Sequence, residues 1–238
     1  MDGIDCLHAE LLTGFHILDE EGQNSGIAGH LTARLPDGNG LLGHRYGLAF
    51  DDVRAKDILS ADFDLETGSD DRVNPSLVFH VSIYNARSDV GAVVHTHGFH
   101  ALALGAAGGE FRPVFQSALM LLDAVRPYDR YDGIIENAEV GARMANALGD
   151  GRVLALRNHG IVAVGRNLPE AVCAAVIYED NCAIQLAAMA AGELVSLGGR
   201  EAAQARDFLT SEWVVGMRWR QLAHKAARSR PFLEEVAI

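Results

Sequence analysis

The apolar positions change period along this chain, and each change predicts an element. From Ile4 to about Glu21, Leu7, Leu11, Phe15 and Leu18 recur at three- and four-residue steps, which predicts an amphipathic helix ended by Gly22 and the Gln-Asn-Ser-Gly after it. Strand-like pieces follow at His30–Leu35 and within Gly40–Phe50. Pro36-Asp37-Gly38-Asn39-Gly40 between them is a strong turn signal, so a hairpin is expected. Asn74-Pro75 opens a helix that runs to about Arg87 and presents Leu77, His80 and Tyr84 on one face.

Gly91-Ala92-Val93-Val94 then reads as a buried strand that ends in His95-Thr96-His97, with a helix to about Gly105 after it. Two further strands, Arg152–Leu156 and Ile161–Val164, are joined across Arg157-Asn158-His159-Gly160. Asn167-Leu168-Pro169-Glu170 resembles a capping box for a long helix to about Ala191, and a last helix is expected over Glu201–Ala227. Helices and strands alternate, but the strands are short and several connect as hairpins. That predicts a layered α/β domain with a mixed or antiparallel sheet.

Composition narrows the picture. In 238 residues, 49% hydrophobic and 22% charged is ordinary for a globular chain, with disorder expected only in the last few residues. The formal net charge of -12 repels phosphate backbones and makes nucleic acid a poor partner. The late basic run Arg218, Arg220, Lys225, Arg228 and Arg230 is read as a solvated helix face. Cys6, Cys173 and Cys182 show no metal-type spacing; the last two read as core fillers, and a reducing cytoplasm fits. There is no signal-peptide pattern. Ala171–Ala191, broken by Glu179, Asp180, Asn181 and Gln185, is not expected to span a membrane.

The chemistry concentrates in histidine. On a strand, residues two apart point the same way, so His95 and His97 can reach one point. His159, in a tight turn beside Gly160, supplies a third imidazole and leaves positions open for water or substrate, as in a catalytic divalent-metal site. His8, His16, His44 and His224 read as surface or packing residues, and His100, three residues after the pair, as a helix-face residue or a support for the ligands.

Ala-Val-Val-His-Thr-His at 92–97, Leu-Arg-Asn-His-Gly at 156–160, Gly-His-Leu-Thr-Ala-Arg at 29–34 and Ile-Tyr-Asn-Ala-Arg-Ser-Asp-Val at 83–90 resemble, in order and spacing, the class II aldolase/adducin family. The resemblance implies a single three-layer α/β/α domain over 1–238 with a mixed, largely antiparallel sheet. Its core covers about 7–192, with a C-terminal helical extension over 200–238. It also implies a cytoplasmic homotetramer with sites near subunit interfaces, and a divalent ion (Zn, Mn or Fe) on His95, His97 and His159.

The departures point to a subgroup. Sugar-phosphate aldolases of the family carry Pro-Ser-Ser-Glu before the helix that holds His80, and their Glu transfers protons. Here that position is Ser76, preceded by Asn74-Pro75, and serine is no carboxylate base. The small phosphate-cradling residues are replaced by His30, Tyr46 and Pro75. The resemblance is therefore closest to the metal-dependent decarboxylases, which share Gly-His-x-Ser/Thr-x-Arg. The expected activity is a carbon–carbon lyase decarboxylating a hydroxylated aromatic or heteroaromatic carboxylate through a metal-stabilised enolate, in aromatic catabolism.

Expected proton donors are His30, His80 and Tyr131; expected substrate contacts are Arg34, Asn74 and Ser76, with Arg34 matched either to a substrate carboxylate or to a structural salt bridge. His80 is placed on the helix face opposite the metal strand, and Gln116 is a candidate pocket residue. Trp213 and Trp219 are read as interface or lid residues. The alternatives are an aldolase or epimerase acting on a sugar or sugar acid, a non-haem iron oxygenase, and a non-catalytic adducin-like module.

Overall fold

A computed structural model describes residues 3–68 and 71–229. Its sheet is built from β1 (His30–Arg34), β2 (Gly40–His44), β3 (Ile58–Asp62), β4 (Ala92–Thr96), β5 (Val125–Tyr128), β6 (Val153–Leu156) and β7 (Gly160–Gly165). The strand order is β3-β2-β1-β4-β7-β6-β5, and every neighbouring pair is antiparallel except β5 with β6. The helices are α1 (Gly3–Glu20), α2 (Val78–Ala86), α3 (Phe99–Ala106), α4 (Ala138–Leu148), α5 (Leu168–Ala191), α6 (Gly199–Leu209) and α7 (Glu212–Ser229).

The central strands bury both faces, which is why β4 and β7 read as continuous apolar runs. Side chains alternate between two cores. Ala92, Val94, Ile161 and Ala163 pack into one with α1 and α5 residues such as Phe15 and Val176. Val93, Leu154, Val162 and Val164 pack into the other with Phe79 and Ile83 of α2 and Met144 of α4. The result is a single α/β domain of three layers, as the resemblance implies.

The predicted α1, β1–β2 hairpin and α5 form within a residue or two of their expected ends. Asn74 caps as expected, its side chain accepting from the Ser76 amide, but Pro75–Leu77 is a 3-10 turn and α2 proper begins at Val78.

Three elements are not anticipated. β3 and β5 are short edge strands, and Pro127 interrupts the pattern of β5, as an edge strand permits. The signal for α4 is present but faint: Asn137 caps it by accepting from the Val140 amide, and Val140, Met144 and Leu148 recur every four residues.

Three expectations change. The single C-terminal helix is two helices, broken at Thr210–Ser211, where both hydroxyls bond to carbonyls of the preceding turn. The basic run is not simply a solvated face. Arg218 pairs with Asp180 of α5 and Lys225 with Glu21 after α1, so these charges dock α7; Arg230 and the expected disordered tail lie outside the described residues. By length and hydropathy α5 does reach the range of a membrane-crossing helix, against expectation. Most of that window is buried against the sheet, and Cys173 and Cys182 are core fillers within it.

Candidate metal centre

The site forms where β4 ends beside the β6–β7 turn. Antiparallel pairing sets His95 opposite Val162 and Thr96 opposite Ile161, so the turn before β7 lies next to the residue after β4. That turn has strict backbone demands. Asn158 sits at φ 58° and Gly160 at φ 125°, and a Cβ on Gly160 would collide with the Thr96 carbonyl. Asparagine tolerates the left-handed region and glycine allows the close approach, which explains Asn-His-Gly around His159.

The three imidazoles converge. Ring centroids are 4.7 Å apart for His95–His97 and 5.1 Å for each pair with His159, and one ligand nitrogen from each lies within 4.8 Å of the others. His95 Nε2 and His97 Nε2 are 3.0 Å apart, close to the separation of about 3.4 Å that two tetrahedral ligands on Zn(II) adopt. His95 Nδ1 lies 2.8 Å from the Ile161 carbonyl oxygen; that oxygen can only accept, so Nδ1 carries the proton and Nε2 keeps its lone pair for a ligand bond. Burial holds His95 well below the ordinary histidine pKa and His97 down to about 4, and lowers His159 as well. All three are therefore neutral at pH 7, which is the form a cation needs. The set fits a divalent metal.

Two residues that the sequence reading passed over hold β4's end in place. Ser25 Oγ accepts from the His97 amide at 2.8 Å, and Gln23 Oε1 accepts from Thr96 Oγ1 at 2.7 Å. Both come from the segment read only as the stop of α1, and no local pattern marks them.

Behind the trio lies a buried histidine pair. His30, at the start of β1, pairs with His95 across the strands, and its ring centroid is 5.4 Å from that of His95 and 5.6 Å from that of His80. Among the described residues, neither ring nitrogen of His30 has a hydrogen-bond partner, nor does His80 Nε2. His80 does not lie on the face opposite the strands, as expected: it turns to the sheet, its Nδ1 2.9 Å from Thr32 Oγ1, which is 2.8 Å from the Tyr84 hydroxyl. Burial raises the Tyr84 pKa and keeps its hydroxyl protonated, so Tyr84, Thr32 and His80 Nδ1 form one buried hydrogen-bonded chain. Burial first, then neighbouring histidines, keep both rings neutral.

The other expected residues divide. Tyr131 is exposed and meets His159 edge-on at 6.4 Å between centroids, beside the trio. Ser76 is half-buried in the turn before α2; Asn74 commits its side-chain oxygen to the Ser76 amide; Gln116 is exposed. Trp213 is exposed and Trp219 packs partly into the core. Arg34 has a structural role. Its guanidinium donates to the carbonyls of Val90, Tyr84 and Arg87 and stacks over Tyr84, at the far end of β1 from His30. These contacts brace the end of β1 against α2 and the turn after it.

The chain belongs to the class II aldolase/adducin family: the model of the Class II Aldolase and Adducin N-terminal domain matches residues 9–186. The family includes lyases, both aldolases and decarboxylases, and class II aldolases depend on a divalent metal. Among similar proteins, a putative aldolase class 2 protein of Caulobacter vibrioides is 30% identical over 201 residues, covering 82% of this chain and 77% of that one. The 3,4-dihydroxyphthalate decarboxylase of Arthrobacter keyseri is 27% identical over 191 residues, covering 74% and 76%. The structure of an L-fuculose 1-phosphate aldolase from Glaciozyma antarctica superposes with a TM-score of 0.84 at 25% identity, covering 95% of this chain and 90% of that one.

Proposed function

We propose that this protein is a divalent-metal-dependent decarboxylase of hydroxylated aromatic or heteroaromatic carboxylates. The observation that carries the reading is the donor set. Among the described residues the ligand cluster is three neutral histidines with no carboxylate in it, and the position before α2 that holds the proton-transferring Glu in sugar-phosphate aldolases is Ser76.

The two reactions ask different things of the protein. Aldol cleavage must remove a proton from the hydroxyl that becomes the aldehyde. Decarboxylation starts from an ionised carboxylate, needs no such base, and needs a proton returned to carbon. A divalent cation on the trio supplies Lewis acidity towards an oxygen next to the breaking bond. Beside it lie two buried imidazoles, His30 and His80. The His30 ring is 5.6 Å from that of His80 and 5.4 Å from that of His95 between centroids, and among the described residues neither His30 nitrogen nor His80 Nε2 has a hydrogen-bond partner. Unpartnered buried nitrogens are costly, and a substrate oxygen or a water would satisfy them. Tyr131, at the open side by His159, is the second candidate donor. The decarboxylase named among the relatives acts, by its name, on a substrate of this class.

The test is a product assay on metal-loaded protein. Hydroxylated aromatic and pyridine carboxylates should release carbon dioxide. Aldehyde released from a sugar phosphate or sugar acid, with no carbon dioxide from any acid in the panel, overturns the reading in favour of an aldolase.

A further inference from the structure

We propose that Glu179 is a positioning residue for the metal centre: its buried carboxylate clamps the turn that follows His97 and so sets where the His97 ring sits. The inference rests on the trio being a metal site, and it adds a residue from a helix that contributes no ligand.

Glu179 projects from the middle of α5, between Tyr178 and Asp180, and is only 7% exposed. A carboxylate so placed must be compensated by hydrogen bonds. It accepts three: the His100 amide at 2.8 Å and His100 Nδ1 at 2.9 Å on Oε1, and the Ala101 amide at 2.9 Å on Oε2. These amides belong to the first turn of α3, whose N-cap is Gly98 and has no side chain to satisfy them. The cap comes instead from α5, 78 residues away, and puts a negative charge at the positive end of α3.

The geometry passes directly to the ligand. Gly98 is the residue after His97, and a Cβ on it would run into the Glu179 carboxylate. The backbone therefore lies against the carboxylate at Gly98, while on the other side the His97 amide is held by Ser25 Oγ. His97, just past the last residue of β4, is fixed from both sides. With the Glu179 clamp gone, the strand still delivers His95, but the peptide that orients His97 is free to rotate.

The experiment measures Co(II) binding to the full chain by competition with a chelator, together with the visible spectrum of the Co(II) protein. Glu179→Gln keeps the shape but replaces one acceptor oxygen with a donor. It should weaken Co(II) binding about tenfold to a hundredfold, as loss of a ligand-supporting group does, and alter the visible bands. Gly98→Ala, which presses on the carboxylate without removing it, should do the same and serves if Glu179→Gln fails to fold. Glu179→Asp, which retains the carboxylate, should recover part of the affinity. A folded Glu179→Gln or Gly98→Ala protein with lowered thermal stability but wild-type affinity and spectrum overturns the inference alone. A wild-type protein that binds no Co(II) overturns the metal centre and this inference with it.

Discussion

The two ends of β1 carry polar side chains in opposite conditions. At one end Arg34 has its guanidinium spent on three backbone carbonyls and an aromatic face. At the other, four residues away, His30 is buried with neither nitrogen paired, against His95 and His80. Both residues belong to one family motif, and by sequence both read as substrate-facing. A satisfied buried polar group holds the fold together. An unsatisfied one lowers stability and persists where a ligand completes it.

The largest effect that sharpens this contrast lies next door. His95→Ala should abolish stoichiometric metal binding and activity, measured by metal analysis after dialysis; a variant that still holds one metal per chain would break the site assignment. His30→Leu should cut decarboxylation by about a hundredfold to ten-thousandfold, the range of a lost proton-transfer group, while leaving stability equal or higher in urea unfolding. Strong destabilisation with retained turnover would make His30 a second Arg34. Arg34→Met should show the reverse: a loss of about 3 kcal/mol in urea unfolding, since it removes charged hydrogen bonds to three carbonyls, with metal content unchanged.

The smallest effect concerns His44, which is buried and pushed to about 4, chiefly by desolvation. In the unfolded chain it takes up a proton near pH 6.5, whereas the folded protein resists until about pH 4. The unfolded state therefore binds more protons across that window, and stability falls as pH drops through it, by up to about 3 kcal/mol from this group. His44→Gln should flatten the acid limb of stability against pH between 6.5 and 4. An unchanged slope would place the acid sensitivity in the other buried histidines.

Much of the fold was legible because its signals are local. The four-residue recurrence of α1, the turn between β1 and β2, the apolar run of β4 and the cap of α5 each occupy one short window. β5 was not legible, since Pro127 breaks its pattern and only pairing with β6 makes it a strand. The C-terminal helix was read as one because apolar spacing continues across Thr210–Ser211, while the break is made by side chains bonding back to the chain.

The same boundary runs through the site. By itself the sequence determined the trio: a strand's two-residue period aligns His95 with His97, and Asn158 and Gly160 permit the turn that presents His159. Only the tertiary structure decided that Arg34 braces carbonyls 50 to 56 residues away, that His80 lies beside His30, that Ser25 holds the His97 amide from 72 residues away, and that Glu179 caps the turn after it by bonding His100 from 79 residues away. The reason is physical. Backbone periodicity sets which way a side chain points, but whether its polar atoms find partners depends on groups that packing alone brings within hydrogen-bond distance.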